Sequence, residues 1–228
     1  MALRLATYNI HRCVGADGKE DPQRIADVLR AMDADLVALQ EVAYDPETPG
    51  DILRFLSRAA GAQVIAGPTL QEGKGRYGNA VLTRLTPREV RRIDISLRGR
   101  EPRGVLQLGL ATPSATVSVL ATHLGLSVGE RRRQLARIAQ ILAETRADVM
   151  ILMGDLNEWF PWSPSLHRLK GFFAPVVAPA TFPGRRPFFA LDRIWVRPQR
   201  RLSRLHAFKT PLSRMASDHL PLVADIDL

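Results

Sequence analysis

The chain carries one cysteine, Cys13, among 228 residues. A lone thiol cannot close an internal disulfide, and a structural zinc site of the Cys-rich kind needs several, so both are excluded and a reducing compartment fits. No apolar run approaches the roughly 20 residues of a membrane-spanning helix. The start, Met1-Ala2-Leu3-Arg4, enters a strand pattern without the charged segment, apolar stretch and cleavage site of a secretory leader, so a cytoplasmic location is expected. No low-complexity linker interrupts the order of elements, which predicts a single domain over residues 1–228. The glycines of Glu72-Gly73-Lys74-Gly75-Arg76-Tyr77-Gly78-Asn79 match no phosphate-cradling P-loop spacing and no helix follows them, so this passage reads as a connection.

What is present is a large apolar fraction, 46% of residues, enough to bury a substantial core. Lys and Arg total 32 against 23 Asp and Glu, a net charge of +9 that favours polyanionic partners by long-range attraction without identifying them.

Leu3 to Ile10 reads as a first strand, with Asn9 and His11 at its end. Asp21-Pro22 supplies a helix N-cap and first-turn proline, and Ile25, Val28, Leu29 and Met32 follow at helical spacing. The apolar strand Leu36-Val37-Ala38-Leu39 ends in Gln40-Glu41, and a short helix then sets Ile52, Phe55 and Leu56 on one face. Four runs, Ala80–Leu85, Val90–Leu97, Val105–Ala111 and Thr116–Thr122, read as consecutive antiparallel strands, with His123 ending the last. Ser127-Val128-Gly129-Glu130 has capping-box spacing ahead of a helix whose apolar face is Leu135, Ile138 and Leu142.

The stretch Val149 to Met153 reads as a buried strand, after which Gly154 lets the backbone turn and delivers Asp155 and Asn157. An acid and an amide at that spacing can hold a proton acceptor and a hydrogen-bond donor against one phosphate. Both residues also form turns for local reasons, so the tetrapeptide alone reads as either. Trp159, Phe160 and Trp162 then read as core or as a lip around the site, before a short helix capped by Ser163 with Pro164 at its first position. Ala190 to Val196 is another strand, carrying Asp192, and Ser217-Asp218-His219 precedes a final one. Two stretches echo each other. Strand, helix and strand ending in Glu41 is paralleled by a strand ending in His123, a helix and a strand ending in Asp155, which suggests two face-to-face sheets with helices outside and polar tips on one edge.

Thr7-Tyr8-Asn9-Ile10, Leu39-Gln40-Glu41-Val42, Ala121-Thr122-His123-Leu124, Gly154-Asp155-Leu156-Asn157, Leu191-Asp192-Arg193-Ile194 and Ser217-Asp218-His219-Leu220-Pro221 together resemble the ordered motifs of the endonuclease/exonuclease/phosphatase superfamily. The resemblance implies an α/β fold, a four-layer α/β/β/α sandwich with two packed mixed, mainly antiparallel sheets. It also implies a metal-dependent hydrolase of phosphate esters.

The chemistry suits the residues. Mg²⁺ binds one or two carboxylates and keeps water and substrate oxygens in its shell, which makes Glu41 the leading ligand, with Mn²⁺ as an alternative ion. The resemblance adds Asn9 and Asp218 as nearby ligands. It pairs His219 with Asp192, either to activate water or to contact the phosphate, and leaves the base open between His and Asp. On this reading Asp155 orients or deprotonates the attacking water, Asn157 donates to the phosphate, and His123 and His219 stabilise charge on its oxygens. His167 and His206 match no motif, and His11 is unassigned.

Three functions compete: a nuclease, a phosphoesterase acting on a lipid head group or inositol phosphate, and a non-catalytic nucleic-acid-binding module. The Arg131-Arg132-Arg133 run, Arg185-Arg186 and the Arg197, Arg200, Arg201 and Arg204 series could neutralise a nucleic-acid backbone or form a solvated face. A monomer is favoured.

Overall fold

The computed structural model describes residues 1–160 and 163–228, so the reading of Trp162 as core or lip lies outside the described residues. In chain order the elements are β1 (Ala2–Asn9), α1 (Pro22–Met32), β2 (Leu36–Tyr44), α2 (Ile52–Ala60), β3 (Gln63–Glu72), β4 (Gly75–Thr83), β5 (Pro87–Asp94) and β6 (Gly104–Ala111). They continue with β7 (Thr116–His123), α3 (Val128–Glu144), β8 (Val149–Asp155), α4 (Pro164–His167), β9 (Asp192–Arg197), β10 (Leu202–Ala207), α5 (Ser213–Ala216) and β11 (Leu222–Asp227). Among the described residues no helix is long and apolar enough to cross a membrane.

One six-stranded sheet has the order β10-β11-β1-β2-β4-β3, and a five-stranded sheet has the order β5-β6-β7-β8-β9. Among the described residues only β1 with β2 and β7 with β8 pair in parallel, each across a helix that serves as the crossover. Strand alternation builds the layers. Leu3, Leu5 and Leu36 of the first sheet pack against Val119, Ile151 and Ile194 of the second. Residues of opposite parity face outward: Ala6, Tyr8 and Val37 onto α1 and α2, and Leu120 and Leu152 onto α3. The result is the α/β/β/α sandwich.

The helices start where local chemistry satisfies their first N–H groups. Asp21 accepts from Gln23 N at 3.0 Å, a cap worth about 1 kcal/mol. Ser127 and Glu130 form the reciprocal capping box of α3.

The structure corrects several expectations. The passage Glu72 to Asn79 is the tip of a β3–β4 hairpin with β4 running through Asn79, rather than a connection. β3 is hard to see in the sequence because an edge strand tolerates Gly67 and, at its register shift, Pro68, and so shows no clean apolar run. The strands at Ala80 and Val90 are consecutive but belong to different sheets, because the chain changes layer between β4 and β5. β10, also an edge strand, has no matching run among the expected elements.

Gly154 does not turn the chain: β8 continues through Asp155. Glycine is required there because φ is +144° and a Cβ would sit 1.9 Å from Thr122 O on the neighbouring strand. Gly154→Ala is therefore expected to lower stability by about 3–5 kcal/mol in urea unfolding. Gly129→Ala, in the first turn of α3 with open space around it, should change stability by less than about 1 kcal/mol and in the stabilising direction.

Candidate active site

Strand parity aims the polar tips. Leu3, Leu5, Thr7 and Asn9 alternate toward the inter-sheet core on β1, as do Val149, Ile151, Met153 and Asp155 on β8. On β7 the inward series Val117, Val119 and Ala121 ends at His123, and on β9 Asp192 begins the inward series of Ile194 and Val196. Once the apolar filling ends, the next inward residue of each strand is polar, at one end of the sandwich.

Glu41 breaks this pattern, because Gln40 takes the inward position and bonds Thr7 Oγ1 at 3.2 Å. A β-bulge between Leu39 and Val42 holds Glu41 in the left-handed region at φ 56°, so β2 does not end there but runs on to Tyr44. The bulge re-aims the carboxylate. Asn9 Nδ2 donates to Glu41 Oε1 at 2.9 Å and to Asp155 Oδ2 at 3.1 Å, so one amide joins carboxylates from both sheets.

Asp155 is 1% exposed and forms the hub. Its Oδ1 accepts Asn157 N–H at 2.8 Å, and its Oδ2 lies 3.6 Å from the Nε2 atoms of both His123 and His219. His219 Nδ1 donates to Asp192 Oδ2 at 2.8 Å, and Thr181 Oγ1 donates to the same oxygen at 2.6 Å. Asn157, at φ 50°, donates from Nδ2 to Leu124 O at 2.9 Å and contacts His123 Nε2 at 3.0 Å.

Asp218 is brought to the same end but not onto Glu41. Its Oδ1 accepts from Ser217 Oγ at 3.3 Å and lies 3.8 Å from His11 Nδ1. Ser217 Oγ also lies 2.7 Å from Asn9 O and 3.2 Å from His219 N, which ties the last motif to β1. His167 lies on α4 and His206 on β10, outside this cluster.

Thr181 and Ser217 join the site without a role expected from sequence. Ser217 lies inside the Ser217-Asp218-His219 motif, whereas Thr181 sits in a loop with no local signal. Arg131 is corrected: it is buried and paired with Glu158 at 3.2 Å, not available to a nucleic-acid backbone, while Arg132 and Arg133 are exposed.

The donor set fits a hard divalent cation. Glu41, Asp155, Asp192 and Asp218 converge, yet among the described residues none pairs with a Lys or Arg. Donor atoms of Asp155, Asp192 and His219 lie within 4.8 Å of one another, and buried Asp192 Oδ1 has no partner. Asp155 Oδ1 and Oδ2 are engaged by Asn157 and Asn9, and Asp192 Oδ2 by His219 and Thr181, so among the described residues Asp192 Oδ1 is the site's buried carboxylate oxygen left open.

The two site histidines carry opposite charge states. Burial opposes protonation of His219, but Asp192 and Asp155 outweigh it and raise its pKa to about 10. His123 is pushed down to about 3, chiefly by burial with the Asp155 carboxylate acting the other way, and so stays neutral. Its Nε2 is then free to accept from Asn157. The imidazolium of His219 stabilises the fold below its unfolded pKa of about 6.5, and this is lost as pH rises through about 10. Neutral His123 stabilises above about 6.5, and this is lost as pH falls toward about 3. Residue-assigned imidazole NMR should show the His219 ring protonated at pH 8 and the His123 ring neutral at pH 5; ordinary midpoints for these two rings would remove both assignments.

A model of the Endonuclease/Exonuclease/phosphatase family matches residues 6–219. The uncharacterized protein YbhP of Escherichia coli (strain K12) is 29% identical over 249 residues, covering 100% of this chain and 97% of YbhP. An endonuclease/exonuclease/phosphatase structure from Beutenbergia cavernae DSM 12333 matches with a TM-score of 0.78 at 27% identity, over 100% of this chain and 72% of that one. The fold is also similar to that of D. rerio TDP2 complexed with a single-strand DNA product, with a TM-score of 0.72 at 18% identity over 100% and 99% of the two chains. With the match running from the strand that bears Asn9 to His219 itself, the chain belongs to the Endonuclease/Exonuclease/phosphatase family, whose members generally hydrolyse phosphoester bonds.

Proposed function

We propose that the chain is a single-domain, monomeric, divalent-metal-dependent phosphodiesterase that uses Mg²⁺, or Mn²⁺ in its place, for in-line attack of water on a phosphate ester. The observation that carries the reading is the meeting of Glu41 and Asp155, from different sheets, on one Asn9 amide beside the His219–Asp192 pair. Glu41, with Asn9 and Asp218 nearby, would hold the ion, which when bound neutralises phosphate charge and makes water more acidic.

The remaining work falls to the side chains. Asp155 Oδ2 orients the attacking water and accepts its proton. His219, its pKa raised by Asp192 and Asp155, donates from Nε2 to a phosphate oxygen while Asp192 and Thr181 fix its ring. Both N–H groups of Asn157 Nδ2 are held by Leu124 O and neutral His123, so its donation to the phosphate requires one of these bonds to give way when substrate binds.

The net charge of +9 favours a nucleic-acid substrate in a reducing, cytoplasmic setting. A second reading, a lipid head-group or other small phosphate ester, is favoured by exposed apolar side chains on the loops that adjoin site residues in the chain. Leu126 is 69% exposed on the loop after His123, Phe160 is 55% exposed beyond Asp155, and Phe188 is 66% exposed before Asp192.

A magnesium-dependent hydrolysis panel of nicked and intact DNA, RNA, sphingomyelin, phosphatidylglycerol and inositol phosphates separates the two. Chelation should abolish turnover reversibly. Asp155→Asn and His219→Ala should each lower kcat by about 10²–10⁴-fold with the fold intact by circular dichroism. Glu41→Gln should raise the metal concentration needed for half-maximal rate. Normal turnover by a folded variant removes that residue from the mechanism, and salt-sensitive binding to nucleic acid with no turnover on any substrate would replace the enzyme with a binding module.

A further inference from the structure

Among the described residues seven large apolar side chains are exposed, and five of them lie on loops that carry or adjoin site residues. Leu126 and Val128 follow His123, Trp159 and Phe160 follow Asn157, and Phe188 precedes Asp192. Apolar residues scattered singly over a surface need no explanation, whereas a connected group marks a face that another body covers.

Ring contacts connect this group to the site. The Phe182 ring lies 4.9 Å from that of His219, Trp159 packs edge-on against Phe182 at 5.9 Å and Phe189 at 4.7 Å, and Phe188 packs on Phe189 at 4.4 Å. A bridge between Phe182 and Phe189 closes the turn that presents Phe188. The loop after β7 lies against the same structure: Leu126 O accepts from Arg131 Nη1, and Arg131 pairs with Glu158, the residue before Trp159.

The exposed charge on these loops is all of one sign. Arg185 and Arg186 sit at the tip of the Phe182–Phe189 turn, and Arg132 and Arg133 follow Val128 on α3, with Arg132 one turn along the same helix face. All four are exposed, and among the described residues none forms an ion pair. The acidic residues of the same stretches, Glu130 and Glu158, are buried and turned to Ser127 and Arg131.

We propose that these three loops dock the chain on an anionic lipid bilayer. Leu126, Val128, Phe160 and Phe188 enter the boundary of the acyl chains, Trp159 lies at the level of the head groups, and the four arginines meet lipid phosphates. Apolar insertion and attraction to anionic lipid add in such binding, and both are present on one face. Leu126 and Val128 offer no ring on which a base could stack, which sets this face apart from a single-strand platform of aromatics and cations. The contact of Phe182 with His219 places the docked face beside the phosphate site, so the inference deepens the lipid head-group reading and rests on it for the ester that is cleaved.

The test reads attachment without turnover, so its failure and a failure of hydrolysis are seen separately. With chelator present, the whole chain should sediment with vesicles of equal parts phosphatidylcholine and phosphatidylglycerol. Vesicles of phosphatidylcholine alone should retain it at least about 10-fold less, and added salt should weaken binding to the mixed ones. The Leu126→Ser/Phe188→Ser double variant should bind the mixed vesicles at least about 10-fold more weakly, and Arg185→Ser/Arg186→Ser by a similar factor. No retention on mixed vesicles, equal retention on neutral ones, or wild-type binding by either folded double variant overturns the proposal. So does an apolar double variant that loses single-stranded DNA and keeps the vesicles, which would give the face to nucleic acid. Should that variant not fold, quenching of tryptophan fluorescence by brominated phosphatidylglycerol on the unaltered chain decides, and its absence overturns the proposal.

Discussion

The structure depends on the partners gathered around the buried Asp155 carboxylate. Taking a carboxylate out of water is offset only by well-placed partners. Here they are the Asn157 N–H at 2.8 Å, the Asn9 amide at 3.1 Å and the imidazolium of His219 at 3.6 Å. They come from the loop after β8, from β1 in the other sheet, and from the segment before β11. The same interactions therefore clamp the two sheets together at one end and define the candidate site.

The clamp accounts for features that local preference would not produce. Glu41 and Asn157 sit in a left-handed conformation that side chains other than glycine rarely adopt, at φ 56° and 50°, with a cost of about 1–3 kcal/mol each. In return, Glu41 reaches Asn9 and the Asn157 side chain reaches Leu124 and His123. Gly154, immediately before Asp155, serves the same end, because the close approach of β7 leaves no room for a Cβ there.

Opposite charge states in neighbouring histidines follow from the same geometry. Both rings are buried near Asp155, but only His219 has a second carboxylate in direct contact, and that difference reverses the balance between burial and attraction. The charged ring is suited to an anionic ligand and the neutral ring to positioning an amide.

Much of this was legible in residue order. The apolar runs and their polar ends located β1, β2, β7, β8 and β9, and the Asp21 and Ser127 caps marked α1 and α3, because those signals act over a few residues. β3 and β10 were not legible, since edge strands tolerate Gly, Pro and charge. By itself the sequence determined the layered α/β plan and the set of residues bearing the chemistry, because strand parity and capping are local. Only the tertiary structure decided that Glu41 turns through a bulge onto Asn9, that Thr181 supports Asp192, and that Arg131 and Arg193 are buried. Each of those outcomes rests on contacts between strands and loops far apart in the chain, and nearest-neighbour chemistry carries no record of them.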